Sequence, residues 1–106
     1  MTLGDNMKVV LDKDTVSAGK VTFAVQNTGT LKHEVLVLKT DAAPGQIPAG
    51  DDPGTVSEKT SVGESDDMDP GTSKTFTLDL AAGNYLLICN EAGHFAAGMH
   101  TPFLVK

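Results

Sequence analysis

Apolar and polar residues alternate with a period of two wherever the chain is apolar, and this pattern predicts half-buried β-strands. The clearest alternations place apolar side chains at Val21, Phe23 and Val25 and at Phe76, Leu78 and Leu80. Further candidate strands cover residues 7–11, 33–39, 83–89 and 102–106. Because side chains alternate across a strand, the segment 83–89 is expected to place Tyr85, Leu87 and Cys89 on one face and Leu86 and Ile88 on the other.

The segments between these candidate strands carry turn-forming residues. Residues 17–19, 27–30 and 81–84 each contain glycine or asparagine, which tolerate a positive φ angle. No long amphipathic helix is apparent in the sequence. Short strands joined by such turns predict an all-β fold, either an antiparallel sandwich or a barrel.

Residues 41–72 form the one exception, because they are rich in Gly, Pro, Ser and Asp. The turn signals Asp52-Pro53-Gly54 and Asp69-Pro70-Gly71 lie inside this segment. A connection of this length is either a functional flap with some local structure or a mobile insertion, and we interpret it as a flap. The whole chain, residues 1–106, is then a single domain with this flap inserted.

The flap also carries most of the negative charge, with only Lys59 to balance it. A solvated loop that keeps the protein soluble is one interpretation, and an acidic docking face that attracts a basic partner is the other. Its acidic residues beyond Asp41 are Asp51, Asp52, Glu58, Glu64, Asp66, Asp67 and Asp69.

Length and charge limit the classes of function. A chain of 106 residues can bury a single hydrophobic core without added cross-links. Its formal net charge of −6 argues against DNA or RNA as a partner, since phosphate binding needs a basic surface. The N-terminal residues lack the pattern of a secretion signal, and no apolar run is long enough to span a bilayer. We expect a soluble domain, and both a mature form and a piece of a longer precursor remain open.

Cys89 is the only cysteine, and this excludes several explanations for a reactive sulfur. One cysteine cannot form an internal disulfide, a four-cysteine zinc or iron–sulfur site, or a paired-cysteine redox centre. The Cys89 thiol is therefore inert, reactive alone or bound to a metal.

A group of potential soft metal ligands follows from the spacing around this cysteine. His94 and Met99 come after Cys89 at intervals of five residues, in a loop that begins at the end of a candidate strand. His33 lies 56 residues before Cys89, at the mouth of another candidate strand, and is the natural second imidazole. Two imidazoles, a thiolate and a weak, distant thioether form the ligand set of blue-copper electron-transfer sites. His100 is interpreted as a bystander, because Met99 already points inward on this extended segment.

The same residues also have interpretations that involve no copper. A lone cysteine on a strand is often a small buried hydrophobe, and a methionine alone is more often part of a core than a ligand. Zinc also accepts Cys and His, but its fourth ligand is ordinarily Cys, His, carboxylate or water rather than a thioether. An immunoglobulin-like module would need a Cys, Trp, Cys pattern, and the chain has no tryptophan.

The sequence resembles the cupredoxins, the type 1 blue copper proteins. The resemblance rests on residues 31–35 around His33, on residues 83–89, and on the loop that runs to Met99. The spacing of Cys89, His94 and Met99 is most similar to the rusticyanin, auracyanin and sulfocyanin branch. This resemblance implies a Greek-key β-sandwich of about seven or eight strands, with copper near one end.

The resemblance also implies roles for individual residues. His33, Cys89 and His94 would be equatorial ligands of a mononuclear Cu(I)/Cu(II) ion, and Met99 would be the axial ligand. Tyr85 matches a tyrosine that anchors the corner leading into the ligand strand. Glu34 stands where the family usually has an asparagine whose amide ties two ligand loops together, so the rigidity around the metal depends on what Glu34 contacts.

The function expected from this resemblance is a one-electron carrier rather than an enzyme. Its partner would be a redox protein such as a cytochrome or an oxidase, and the chain would act as a monomer. Family members usually work in the periplasm or another extracytoplasmic space. A copper storage or delivery module is the alternative function. A catalytic copper domain is disfavoured, because His100 alone is too little to build a second copper centre.

Overall fold

The structure is a computed structural model that describes all residues from Met1 to Lys106. Two β-sheets contain nine strands, and the one short helical segment is a 3₁₀ turn at Pro44–Gln46. The strands are β1 (Thr2–Gly4), β2 (Lys8–Val10), β3 (Thr15–Val16), β4 (Gly19–Asn27), β5 (Leu36–Lys39), β6 (Ser61–Glu64), β7 (Ser73–Leu80), β8 (Gly83–Ile88) and β9 (His100–Val105).

The four-stranded sheet has the order β2-β1-β4-β7, and the five-stranded sheet has the order β3-β9-β8-β5-β6. The prediction of an all-β sandwich is confirmed. The sheets are mixed rather than purely antiparallel, because β1 pairs with β4 and β3 pairs with β9 in parallel. Both parallel pairs involve strands of two or three residues, which carry too few positions for an alternation to be visible.

Strand β4 shows how the period-two pattern forms the core. Its buried apolar residues Val21, Phe23 and Val25 alternate with exposed ones. In the antiparallel register with β7, Phe23 lies opposite Phe76, and the two rings stack with centroids 5.1 Å apart. Aromatic pairs of this kind add to the stabilisation that comes from burying apolar area.

Strand β8 is buried on both faces. The alternation predicted which residues share a face, but it did not predict that both faces are covered. Tyr85, Leu87 and Cys89 belong to the large core between the sheets. Leu86 and Ile88 face the other way and pack in a second cluster with Val56 of the flap. The flap therefore covers the outer face of the five-stranded sheet, and this cover explains why β8 is continuously apolar from Tyr85 to Ile88.

The flap has local structure of its own. Strand β6 pairs with β5, and an isolated bridge joins Ala49 to Val56. Both predicted turns form, since Gly54 and Gly71 have φ angles of 78° and 77°. The sequence did not indicate β6, because its four residues alternate between half-buried and exposed and none is fully buried.

The observed strand boundaries differ from the predicted ones mainly in the segments that carry the proposed metal ligands. The predicted strand 33–39 is regular only over Leu36–Lys39, and His33 instead makes an isolated bridge with Met68. The last strand begins at His100 rather than at residue 102. The Tyr85 hydroxyl donates a hydrogen bond to the carbonyl of Ala81 at 2.7 Å, as expected for a tyrosine that anchors a corner. No helix in the structure is long and apolar enough to cross a membrane.

Candidate metal centre

Cys89 follows directly after β8 and is fully buried. Strands β8 and β9 pair up to Ile88 and His100, and the next bond along the ladder runs from the Cys89 N–H to the Met99 carbonyl at 3.0 Å. Cys89 and Met99 are therefore held side by side at the same end of the sandwich. Both side chains belong to the core cluster between the sheets.

The intervening loop is a series of tight turns. The His94 N–H donates to the Glu91 carbonyl at 3.0 Å, and the Met99 N–H donates to the His94 carbonyl at 3.1 Å. Gly93 and Gly98 have φ angles of 82° and 105°, in the region that side chains disfavour. Glycine at these two positions lets the loop turn back so that His94 returns toward Cys89.

His33 is held by the backbone on the other side of the site. Its N–H donates to the Met68 carbonyl at 3.2 Å, and its carbonyl accepts from the Met68 N–H at 2.8 Å. The Asn27 side chain donates to the carbonyls of Leu31 and Met68, both at 2.9 Å. These bonds fix the segment that carries His33, whose side chain has no exposed surface.

The three predicted equatorial residues converge on one point. The Cys89 Sγ lies 3.4 Å from the Nδ1 of His94 and 3.9 Å from the Nδ1 of His33. The two Nδ1 atoms are 3.2 Å apart. A thiol and two imidazole nitrogens that face one another, with a buried methionine in the same core cluster, are a donor set that fits one copper ion.

His100 lies outside this convergence. Its ring packs against Phe95, with the ring centroids 4.9 Å apart. Since adjacent residues on a strand point to opposite faces, this position is consistent with the prediction that His100 is a bystander.

Burial controls the protonation of these groups in the metal-free chain. Desolvation raises the pKa of the Cys89 thiol, although N–H groups of Glu34 and Glu91 act in the opposite direction. Desolvation and the neighbouring His33 lower the pKa of His94. A neutral imidazole is the form that binds a metal, and metal binding must displace the thiol proton.

Glu34 occupies the place of the usual family asparagine, and its surroundings are acidic. Its backbone N–H donates to the Cys89 Sγ at 3.5 Å. Its carboxyl oxygen lies within 4.8 Å of those of Asp67 and Glu91. Burial, and then the negative charges of Glu91 and Asp67, raise the pKa of Glu34 to about 8. Glu34 therefore joins a carboxyl cluster beside the site rather than replacing an asparagine amide.

Asn90, which the sequence did not indicate as part of the site, connects the loop that carries His94 to the flap. Its side-chain oxygen accepts from the Val56 N–H at 2.9 Å, and its amide donates to the Val56 carbonyl at 3.0 Å. The Gly93 N–H also donates to the Gly54 carbonyl, at 2.9 Å. Both contacts attach the flap to the loop that carries His94. A polar residue directly after a buried strand is the signal that could have indicated Asn90.

Asp5 is a second residue that was missed. Its Oδ1 lies 3.1 Å from the Nε2 of His33, on the side of the ring away from Cys89. Asp5 lies in the turn between β1 and β2, where no periodicity marks it, and no sequence signal connects it with a histidine 28 residues later.

Comparisons with known proteins agree with this geometry. The family model described as the sulfocyanin (SoxE) domain matches residues 6–106. A reduced auracyanin from the photosynthetic bacterium Roseiflexus castenholzii is similar in structure, with a TM-score of 0.75, 23% identity, and coverage of 97% of this chain and 90% of that one. Auracyanin A from Chloroflexus aurantiacus, described as a "blue" copper protein, gives a TM-score of 0.68 and 22% identity, with 100% and 98% covered.

A rusticyanin from Thiobacillus ferrooxidans has a TM-score of 0.70 and 20% identity, over 87% of this chain. The chain spans 59% of that rusticyanin. No curated protein sequence matches the chain significantly. The solved structures share the fold with this chain, and the family model assigns the branch that the ligand-loop spacing predicted.

Proposed function

This chain belongs to the sulfocyanin family of cupredoxins, with copper as its cofactor, and from that premise we propose that it carries single electrons between redox proteins through one type 1 copper site. The observation that supports this most directly is the convergence of a buried thiol sulfur and two imidazole Nδ1 atoms, with the sulfur 3.4 and 3.9 Å from them. This donor set is suited to electron transfer through copper.

We propose that His33, Cys89 and His94 are the equatorial ligands and that Met99 is the axial ligand. Bound copper would supply the one-electron couple between Cu(I) and Cu(II). The chain holds the donors in nearly fixed positions through the His33–Met68 bridge and the ladder bond from Cys89 to Met99. Fixed ligands reduce the rearrangement between oxidation states, which is what an electron carrier needs.

The surroundings of the site favour electron exchange without access of water. His33, Cys89 and Met99 are fully buried, whereas His94 is partly exposed. Ala96 and Ala97 are exposed small residues next to it in the loop. His94 is therefore the proposed point of electron exit, and a redox partner such as a cytochrome or an oxidase would dock there briefly through a small contact.

We propose a carrier rather than an enzyme, as the resemblance to the cupredoxins implies. The proposed location is periplasmic or otherwise extracytoplasmic, in keeping with the family resemblance.

The test of this function is to add Cu(II) to the purified chain, record the visible spectrum and measure cyclic voltammetry. We expect an intense copper–thiolate band at one copper per chain and a reversible one-electron wave. A colourless protein would refute the copper site. A coloured protein that releases Cu(I) readily and gives no reversible wave would refute the carrier function and favour a copper delivery module.

Met99→Leu tests the axial ligand. Leucine keeps the volume and apolar character but removes the thioether, so we expect the blue band to persist and the reduction potential to rise. A tenfold loss of Cu(II) affinity relative to Cu(I) corresponds to about 59 mV in a one-electron couple, and we expect a rise of that order.

Met68→Leu is the matched control for this change. Met68 is a buried methionine in the same core cluster, but its backbone rather than its side chain pairs with His33. The potential of this variant should stay close to that of the wild type. Equal shifts in the two variants would contradict the assignment of Met99 as axial ligand.

A further inference from the structure

The Nε2 atom of His33, on the side of the ring away from Cys89, contacts the carboxylate of Asp5. The Nε2 atom lies 3.1 Å from the Oδ1 of Asp5, while the Nδ1 atom of the same ring faces Cys89 and His94. The His33 side chain is completely buried, and that of Asp5 is about one-third exposed. The imidazole therefore connects a carboxylate on one side with the proposed metal centre on the other.

The carboxylate of Asp5 is itself held firmly in place. Its Oδ2 accepts hydrogen bonds from the N–H and the hydroxyl of Thr30, at 2.7 and 2.6 Å. Its Oδ1 also accepts from the N–H of Leu31 at 3.3 Å. Gly29 leaves room for this arrangement, because a Cβ atom there would collide with the carboxylate. Both carboxyl oxygens therefore accept hydrogen bonds from backbone N–H groups, which is the arrangement of an ionised carboxylate.

An ionised carboxylate can only accept hydrogen bonds, and this fixes the state of the histidine. The proton of neutral His33 must then lie on Nε2, which leaves the lone pair of Nδ1 directed toward Cys89 and His94. Carboxylates that orient histidine ligands in this way also make the imidazole a more basic donor.

We propose that Asp5 is a positioning residue for the copper centre, which holds His33 in its Nε2–H tautomer and places a negative charge one imidazole away from the metal. This inference rests on the proposed function. The negative charge favours Cu(II) over Cu(I), so Asp5 lowers the reduction potential of the site. Asp5 lies one residue before the segment that the family model matches, so the comparison with that family says nothing about it.

Asp5→Asn in the full chain tests the effect on potential. Asparagine keeps the shape but removes the charge. Its side chain has one acceptor oxygen instead of two, so it cannot accept hydrogen bonds from Thr30 with one atom and from the His33 Nε2–H with the other. Loss of a group that orients a metal ligand typically costs about 10–100-fold in metal affinity. We expect a loss of Cu(II) affinity of that size relative to Cu(I), which raises the potential by about 59 mV for each factor of ten.

Asp12→Asn is the matched control, because Asp12 is an exposed carboxylate whose side chain makes no hydrogen bond. This variant carries the same change of net charge, and its potential should equal that of the wild type. A potential of Asp5→Asn within the range of the control would overturn the proposal, even if the variant were less stable. A purely structural role for Asp5 would lower stability without this shift in potential.

Nitrogen-15 NMR of the histidine rings gives a second test that needs neither bound copper nor a variant. In the metal-free wild type we expect His33 to show Nε2 protonated and Nδ1 unprotonated. A wild type with the proton on Nδ1 would overturn the role of Asp5 regardless of whether Asp5→Asn folds. Absence of a copper–thiolate band in the wild type would instead refute the proposed function, and the NMR result would still report on the Asp5–His33 bond.

Discussion

Cys89→Ser is expected to abolish the intense visible absorption of the copper-loaded protein. The band arises from charge transfer between the thiolate sulfur and copper, and serine has no sulfur and does not ionise at neutral pH. The Cys89 sulfur also faces both proposed imidazole ligands, with the two Nδ1 atoms within 3.9 Å of it. We expect copper affinity to fall by more than roughly 100-fold, the upper end of the loss seen when only an outer-shell partner is removed.

The measurement is a Cu(II) titration followed by visible absorption and electron paramagnetic resonance. Serine is slightly smaller than cysteine, so circular dichroism and denaturation should show a folded chain. Met68→Leu is the control, because it removes a different buried sulfur from the same core cluster and should leave the band intact. A blue Cys89→Ser variant would contradict thiolate ligation.

The convergence of His33, Cys89 and His94 could be predicted from the sequence because it depends on residue chemistry. A single cysteine leaves few roles for the sulfur, and the spacing to His94 and Met99 is short enough to lie in one loop. The alternation in β4 and β8 was equally visible, because long strands repeat the pattern several times. The ligand-loop spacing and the strand alternation are local in sequence, whereas His33 lies 56 residues before Cys89 and was chosen by its residue type and its place at the mouth of a candidate strand.

Asp5 and Asn90 could not be found in the same way, because their roles depend on which segments the topology brings together. Asp5 meets the loop before His33 only because β1 pairs in parallel with the end of β4, at Leu3 and Asn27. Neither strand has a pattern that predicts this pairing. Asn90 matters only because the flap folds back over β8, and nothing in residues 41–72 specifies that direction.

The effect of Glu34 on the site could not be predicted from the sequence, because it depends on what this residue contacts in the fold. The sequence indicated that an asparagine was missing beside His33, but the consequence could not be derived from the residue type. In the structure the backbone N–H of Glu34 still reaches the Cys89 sulfur. Asn90, which directly follows Cys89, attaches the flap to the loop that carries His94, and this is a different connection from the one expected of an asparagine at position 34.

Asn90→Ala is expected to be the most destabilising polar substitution next to the site. The residue is 6% exposed, and its side chain pairs with both the N–H and the carbonyl of Val56, at 2.9 and 3.0 Å. Alanine would leave both backbone groups of the flap residue Val56 unpaired, and each unsatisfied buried group costs about 1–3 kcal/mol. We expect the free energy of unfolding to fall by about 2–6 kcal/mol, a large part of the roughly 5–15 kcal/mol typical of a domain.

Denaturant unfolding of the metal-free chain measures this loss, and hydrogen exchange at the Val56 amide locates it. Asn84→Ala is the matched control, because the Asn84 side chain also donates a hydrogen bond, to Asp41 at 2.8 Å, but at an exposed position. Water can replace that bond, so the control should lose no more than about 0.5 kcal/mol.

Because Asn90 directly follows Cys89, we also expect copper to dissociate faster from Asn90→Ala than from Asn84→Ala. Equal stability of the two variants, with Val56 still protected from exchange, would mean that the flap is held by its apolar contacts with Leu86 and Ile88 rather than by Asn90.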